Sequence, residues 1–331
     1  MRIVGAGVSF RLISMRFAPV AATLFIALSV GVSGCTGAPD REEEASNIRT
    51  RIAAMPGVSD VDLIYDNGVL EGTRFELDIA MDEATDQQVG AVATQLDELR
   101  GDNFAKFDQS VKIVVAKGTS IAGGADLPDD IEHVTGLVRR LHADTPAREI
   151  RWFSGGAPDE SKVRILEAEA PDAAVDAIVR IFTDRPPSEI EVSAADRVAD
   201  PHWMIFNRFT PADKQRIDRQ LAAAAPADPG WIGVRDGWID RLTFGVPAPA
   251  SAYEDVVRTI HALEAGPAHP VSLTWVWDGD PSRRGEPRWA GSAMIGKCDY
   301  VNGDRTKTEP LVPDALALQQ RIRDEFDTCL K

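Results

Sequence analysis

Residues 61–79 read VDLIYDNGVLEGTRFELDI, and this stretch decides the expected fold. Apolar and polar side chains alternate from Val61 to Tyr65 and again from Phe75 to Ile79, with Asp66-Asn67-Gly68 after the first run. Alternation with a period of two is the pattern of a strand with one buried face, and Asp-Asn-Gly favours a turn. The stretch therefore predicts two β-strands joined by a turn, with one apolar face that other elements must cover.

Helical patterns lie on both sides of this hairpin. Before it, Ile48, Ile52 and Met55 recur at helical spacing and end at Pro56-Gly57. After it come the apolar stripe of a second helix and then a third alternating strand, carried by Val89, Val92, Ala93, Leu96 and Leu99 and by Val111, Ile113 and Val115. These spacings predict the order αββαβ for residues 48–118.

The same order returns in residues 127–196, after a Gly123-Gly124 linker, and in residues 203–279. A unit of about 70–80 residues buries a small core. The sequence therefore predicts an α+β fold of three tandem αββαβ sandwich modules, each with two helices on one face of its sheet. A C-terminal extension over residues 280–331, with a helix from Asp314, completes the chain.

Two resemblances refine this picture. A strand before the first helix, for which Met204–Phe209 in the third unit is a candidate, makes the order βαββαβ, which resembles ferredoxin-like folds. The strand-turn-strand from Val61 to Gly72 is similar to that of BON domains, which occur in envelope lipoproteins and in some cases contact phospholipid. The second resemblance covers about a dozen residues of one unit.

The first 35 residues have the layout of an export signal. Three arginines precede an uncharged run from Phe17 to Ser33 that ends in Val32-Ser33-Gly34-Cys35. This ending resembles the lipobox of bacterial lipoproteins, formed here by Val32, Ser33 and Gly34 before the cysteine that receives diacylglycerol. The resemblance implies that residues 1–34 are removed and that Cys35 carries the lipid. An ordinary signal or an uncleaved anchor is the alternative.

Charge and composition bound the partners. The formal charge is −16, and loss of the three arginines of residues 1–34 takes it to −19. This balance disfavours nucleic acid and direct adhesion to anionic lipid. We expect residues 35–47 to be a polar tether and the lipid on Cys35 to hold the body at the membrane, outside the cytoplasm. Arginine outnumbers lysine 28 to 8, which resembles exported proteins of high-GC actinobacteria.

Cys298 and Cys329 are the only cysteines besides Cys35. An exported protein meets an oxidising compartment, so we predict that they form a disulfide that staples the C-terminal extension. Free thiols or a metal pair are the alternatives.

The histidines, serines and carboxylates form no recognisable catalytic motif. None of the five histidines, His133, His142, His202, His261 and His269, has a second histidine at ligand spacing. Residues 35–331 contain no Gly-x-Ser-x-Gly and no phosphate-binding glycine loop, and Gly5-Ala6-Gly7 lacks the third glycine of a dinucleotide loop. Acidic pairs such as Asp278 and Asp280 lack the oxygen ladder of a calcium loop. The sequence therefore predicts no catalytic residue, metal or cofactor.

Six of the seven tryptophans lie beyond residue 200. Exposed, they would form a platform for a sugar, lipid or peptide, but the alternation around Trp238 and the shared strand face of Trp275 and Trp277 favour burial in a helix-covered sheet. Trp289, in a loop rich in arginine and proline, is the candidate partner contact.

These observations predict an exported, lipid-anchored envelope lipoprotein that acts as a non-catalytic binding or scaffold protein. Its partner is expected to be an envelope protein or a cell-wall polymer. Two alternatives stay open. One is an envelope hydrolase or transferase with carboxylates between modules, and the other is a carrier of an apolar ligand between helices and sheet.

Overall fold

The computed structural model describes residues 38–68, 72–155, 160–195, 201–277, 289–297 and 311–327. The strands are β1 Asp60–Gly68, β2 Gly72–Ala80, β3 Asp108–Ala116, β4 Thr119–Gly123, β5 Ala147–Ser154, β6 Ser161–Ala168, β7 Glu189–Ala194, β8 His202–Phe206, β9 Ala227–Arg235, β10 Trp238–Gly245, β11 Val271–Val276 and β12 Ala290–Ile295. The helices are α1 Glu42–Ala53, α2 Asp86–Arg100, α3 Ile131–Asp144, α4 Pro171–Ile181, α5 Pro211–Ala224, α6 Ala252–Ala262 and α7 Pro313–Phe326.

All twelve strands form one mixed sheet, in which their order follows the sequence. Strands joined by a hairpin are antiparallel, as in β1 and β2, and strands joined by a helix are parallel, as in β2 and β3. A hairpin followed by a helix therefore recurs six times, from β1-β2-α2 to β11-β12-α7. At about 4.8 Å between neighbouring strands, the sheet is roughly 50 Å wide.

The core lies on one face of this sheet. A single row of directly paired, buried apolar residues crosses ten strands: Val61, Ile79, Ile113, Ile121, Trp152, Val163, Ile190, Ile205, Val234 and Ile239. Each helix packs against the next one in sequence, from α1 to α7. The helices thus form one layer over the apolar face, and no helix in the described ranges covers the other face.

The helical crossovers between parallel strands alternate in hand along the chain. Strand direction reverses from one crossover to the next while the chain always steps the same way across the sheet. Right-handed crossovers throughout would place successive helices on opposite faces. Because all helices lie on one face, the hand alternates. The physical reason is the sequence period of strands such as β2: Phe75, Leu77 and Ile79 are buried and the residues between them are charged, so such a strand offers only one apolar face.

Local signals start two of the helices. Thr85 and Gln88 form a capping box at α2, with the Thr85 side chain accepting from the Gln88 amide and the Gln88 side chain accepting from the Thr85 amide. Thr210 and Asp213 do the same at α5, where Pro211 occupies the first turn. Both satisfy amides that the helix itself leaves unpaired.

The α+β class expected from the sequence is confirmed, but the boundaries between modules are not. Gly123, expected in a linker, is the last residue of β4, which pairs with β3 and with β5. The expected strand near Met204 is β8, His202–Phe206, and it likewise joins β7 to β9. Parallel strands are direct neighbours throughout, whereas a ferredoxin-like split unit has another strand between them. The tandem ferredoxin-like modules are therefore not confirmed.

The tether also differs from expectation. Helix α1 begins at Glu42, and Ala45 is fully buried. The Arg41 amide donates to the Tyr65 hydroxyl at 2.7 Å, and the Asn67 side chain donates to the Ala38 carbonyl at 3.2 Å. Residues from Ala38 onward are thus bound to β1. The helix begins before residue 48 because three glutamates in its first turn suit a helix N-terminus and because Ala45 packs inward.

Several predicted features lie outside the described residues. They are Cys35 with its lipobox residues Val32, Ser33 and Gly34, the disulfide pair Cys298 and Cys329, the acidic pair Asp278 and Asp280, and residues 69–71 of the BON-like turn. Where the structure does describe helices, each is too short or too polar to cross a membrane.

Candidate functional site

The sheet face without helices, called here the open face, carries polar and aromatic side chains in rows. Two rows cross β5 to β9 through direct strand pairing. We call these ten residues the central patch: Phe153, Lys162, Glu189, Phe206 and Arg235 in one row, and Arg151, Arg164, Glu191, Met204 and Gly233 in the other.

Ion pairs join β6 to β7 within the patch. Lys162 Nζ lies 2.5 Å from a Glu189 oxygen and 3.1 Å from a Glu191 oxygen, and Arg164 Nε lies 2.7 Å from the same Glu191 oxygen. Glu191 is only 9% exposed. Burial acts to raise the pKa of Glu191, but the hydrogen bonds donated by Arg164 and Lys162 outweigh it, and the pKa lies below its ordinary value. Glu191 is therefore a charged anchor for two cations.

Aromatic rings flank these ion pairs. The Arg151 guanidinium carbon lies 5.3 Å from the Phe153 ring centroid, and that of Arg235 lies 4.7 Å from the Phe206 centroid. Both distances suit cation–π contact. Phe153 and Phe206 stand three strands apart in one row, which is roughly 14 Å.

A stacked pair continues the open face beyond the patch. His202 on β8 and Trp231 on β9 are direct strand partners, with ring centroids 4.1 Å apart and an interplanar angle of 18°. Both side chains are partly buried. The open face thus presents flat rings on both sides of Met204.

The patch is electrically balanced. Arg151 pairs with Glu149, and Arg235 pairs with Asp240 at 3.3 Å. With Lys162 and Arg164 held by Glu189 and Glu191, four cations face four carboxylates. The most buried of these carboxylates, Glu191, has a lowered pKa, whereas a general acid at neutral pH needs a raised one. The arrangement is suited to binding by stacking and hydrogen bonding.

A second concavity lies between α2 and α3 and has a volume of about 990 Å³. Gly90 on α2 and Gly136 on α3 line it, together with Asp86, Asp129 and His133. Asp86 is already paired with Arg139 at 2.5 Å.

The predicted partner contact, Trp289, is partly buried and packs against the hydrophobic core. Its carbonyl oxygen accepts a hydrogen bond from the Trp277 amide at 3.0 Å. Trp203 and Trp275 are fully buried, as the alternation predicted for Trp275. The burial predicted for Trp238 and Trp277 is wrong: Trp238 is only partly buried and stacks on His269, and Trp277 follows the end of β11 and is 38% exposed. Trp231 lies on the open face.

The histidines are dispersed rather than gathered. His142 hydrogen-bonds Thr119, His202 stacks on Trp231, His261 meets Phe326 edge-on, His269 stacks on Trp238, and His133 lines the α2–α3 groove. In the part of the chain that the structure describes, no three metal-ligating side chains cluster.

Sequence reasoning did not find the central patch. The signal was present, because charged residues occupy the non-apolar positions of three successive strands at Arg151, Lys162, Arg164, Glu189 and Glu191. It could not be used without knowing that these strands are neighbours and that no described helix covers this face.

Comparison with protein-family models, with curated proteins and with solved structures gives no match for this chain.

Proposed function

We propose that this chain is an exported envelope lipoprotein, anchored by lipid on Cys35, which binds a partner on its open sheet face without catalysing a reaction. The observation that supports this proposal most is the central patch: partly buried rings beside paired charges, on the face of the sheet that lacks described helices. A face of this kind offers a wide contact surface, and the ion pairs of the patch hold its carboxylates in contact with cations.

The anchor part of the proposal rests on the first 35 residues and on the short link to the body. Only Thr36 and Gly37 lie between Cys35 and Ala38, whose carbonyl oxygen accepts a hydrogen bond from the Asn67 side chain. The three Cα–Cα steps from residue 35 to residue 38 span at most about 10 Å. The lipid would therefore hold Ala38, and with it the end of β1, close to the membrane.

The finer features of the fold belong to the same proposal. We propose that residues 48–118, 127–196 and 203–279 are three αββαβ copies within the continuous sheet, and that Cys298 and Cys329 are bridged. Mass spectrometry of unreduced, alkylated protein is expected to find no free thiol at these two positions. Two alkylated cysteines would contradict the bridge.

Anchoring is tested by fatty-acid labelling and fractionation of cells that express the parent chain or Cys35→Ala. The parent is expected to be labelled, shortened by residues 1–34 and recovered with the membrane. The Cys35→Ala variant is expected to lose the label. A parent chain that is unlabelled and unprocessed would contradict the anchor.

Binding is tested by placing a photo-crosslinking amino acid in intact cells at position 153 or 206, with position 316 on α7 as the matched control. Leu316 is 42% exposed on the helix layer. A partner captured from positions 153 and 206 and not from 316 is the expected result. Equal capture from all three positions would contradict a site on the open face.

One observation favours a hydrolase or transferase as a second candidate. The α2–α3 groove lies where the first two predicted modules meet, and Asp129 lines it. Outside the residues that line this groove, burial raises the pKa of Asp97 on α2. The charge of Arg100 opposes this shift, and the charges of Asp126 and Asp129 add to it. Turnover of an envelope substrate that is lost in Asp97→Asn would support this candidate.

The apolar-carrier alternative has less support. An apolar cavity between the end of α4 and the start of α5, lined by Ile178, Phe182, Ile190 and Phe209, has a volume of about 60 Å³. Sites for drug-sized ligands have volumes of about 300–1,000 Å³.

A further inference from the structure

We infer that the central patch binds a neutral, hydroxyl-rich polysaccharide that lies across the strands. The inference rests on the proposed function, because it names the partner class of the same open face. It goes beyond that function because the charges of the patch argue against a polyanion or an anionic membrane, and its position in the sheet argues against an added peptide strand.

The cations of the patch are already paired with carboxylates. A polyanion or an anionic membrane is bound by cations that are free to meet phosphate or carboxylate groups. In the patch, Lys162 and Arg164 are both held by Glu191, and Arg151 and Arg235 have carboxylate partners of their own. A polyanion would have to displace these carboxylates and would then be repelled by them. The patch therefore fits a ligand without net charge.

The ion pairs of the patch are complementary to hydroxyl groups in their hydrogen-bonding capacity. A hydroxyl group is both a donor and an acceptor. Paired guanidinium and carboxylate groups keep unused donors and lone pairs at their edges, and they recur here at the strand spacing of about 4.8 Å. A chain of hydroxyl groups can donate to Glu189 and accept from Arg164 without breaking the ion pairs.

The aromatic rings of the patch offer apolar surface to sugar rings. The C–H faces of sugar rings are apolar and pack on aromatic rings, and Phe153 and Phe206 lie in one row across the strands. An extended polymer that follows this row passes both rings and the Lys162–Glu189 pair between them. Arg151 and Arg235 must leave the ring faces for this, which costs two weak cation–π contacts, but their guanidinium groups then donate to the sugar hydroxyls.

The position of the patch excludes an added peptide strand. Peptides that extend a sheet pair with the backbone of an edge strand. Strands β5 to β9 lie in the middle of the sheet, and each is paired on both sides. A peptide strand therefore has no backbone to pair with at this site.

The test is binding of the purified full chain in detergent to immobilised neutral polysaccharides, with dextran and arabinogalactan as probes. Hyaluronate and vesicles of phosphatidylglycerol serve as anionic probes. We expect binding to at least one neutral polysaccharide, with affinity that changes less than about twofold between about 50 and 500 mM salt, since no ion pairs form with the ligand.

The double variant Phe153→Ala/Phe206→Ala is expected to weaken this binding roughly tenfold through the loss of two stacking contacts. Ile64→Ala is the matched control, because Ile64 is an apolar residue on β1, 40% exposed on the same face and far from the patch. The control is expected to bind as the parent does. Thermal unfolding of both variants checks that neither has lost its fold.

Binding only to hyaluronate or to vesicles, with a steep loss in salt, would overturn the inference in favour of an anionic partner. Failure of every neutral polysaccharide to bind would also overturn it. Either result leaves the proposed function standing if positions 153 and 206 still capture a partner in cells. Loss of that capture as well would count against both.

Discussion

At the residue scale, Glu191 shows how a charge is kept on a sheet that is packed on its other side. Its carboxylate accepts hydrogen bonds from Arg164 and Lys162 on the neighbouring strand. We predict that Glu191→Gln lowers the free energy of unfolding at pH 7 by about 1–2 kcal/mol, since it leaves two partly buried cations without this partner. Urea unfolding measures the change.

The same residue predicts a pH dependence. Because the pKa of Glu191 is lowered in the folded chain, its contribution is present above the unfolded value of about 4.3 and is lost as the pH falls through the folded value. The difference in stability between the parent and Glu191→Gln should therefore shrink in acid below about pH 4. Glu76→Gln, on the open face in a half-exposed pair with Arg74, is the control and should change stability by less than about 0.5 kcal/mol. A constant difference down to pH 2–3 would contradict the assignment.

Lys214 on α5 is the corresponding buried cation of the helix layer. It is 5% exposed, lies 2.7 Å from Asp218 and 3.2 Å from Asp176, and sits 5.5 Å from the Trp203 ring centroid. Burial acts to lower its pKa, but the hydrogen bond to Asp218 and the charge of Asp176 outweigh it, so the pKa is raised. The pair is thus stabilising below the unfolded value of about 10.4 and is lost as the pH rises through the folded value.

We predict that Lys214→Ala lowers the free energy of unfolding by about 2–3 kcal/mol, because the buried methylenes are lost. Lys214→Met keeps most of that packing and should lower it by less than about 1 kcal/mol, because Asp176 and Asp218 are half-exposed and are not stranded without their partner. Chemical unfolding of the two variants separates packing from charge. Equal losses would mean that the ion pair carries the effect.

At the element scale, the join between β11 and β12 depends on a residue without a side chain. Gly291 pairs with Trp275, and a Cβ at position 291 would lie 2.4 Å from an atom of that fully buried ring. We predict that Gly291→Ala lowers the free energy of unfolding by about 1–3 kcal/mol, since the packed ring has no space to move.

The matched control is Gly230→Ala in β9, where no atom lies within 4 Å of the added Cβ. It should change stability by less than about 0.5 kcal/mol. The two variants are compared by urea unfolding followed at tryptophan fluorescence. A Gly291→Ala chain as stable as the control would show that β12 adjusts to the added methyl group.

Element by element, the hairpins β1-β2, β5-β6 and β9-β10 and the helices follow from periodicity, whereas strand β4 does not. The sequence indicates α2 through its apolar stripe and β2 through its alternation, and both are present. In contrast, β4, Thr119–Gly123, has no alternation of its own, because four of its five residues are buried. A strand that is paired on both sides and covered by neighbouring long side chains loses the pattern by which strands are recognised.

At the scale of the whole molecule, the core is one connected cluster that runs from Ala45 to Ile322. Strand β4 links the first two predicted modules from Thr119↔Ile150 to Gly123↔Ser154, as fully as strands are linked within a module. We predict one cooperative thermal transition, with equal calorimetric and van't Hoff enthalpies. Ile121→Ala in β4 should lower the midpoint of this single transition, at a cost of about 2–5 kcal/mol.

The control for that prediction is Leu316→Ala on the exposed side of α7, which should leave the midpoint nearly unchanged. Two or three separate transitions in the parent chain would contradict a continuous core. They would instead support modules that fold independently.

The sequence by itself determined the α+β class, the hairpin at residues 61–79 and the single apolar face of the alternating strands, since these depend on spacing along the chain. The tertiary structure alone decided that twelve strands join in sequence order, that one helix layer covers one face, and that Phe153, Lys162, Glu189 and Phe206 meet in a row. Periodicity states which face of a strand is apolar, but it does not state which strand lies beside it. The site is made of such neighbours, so only pairing between distant residues could create it.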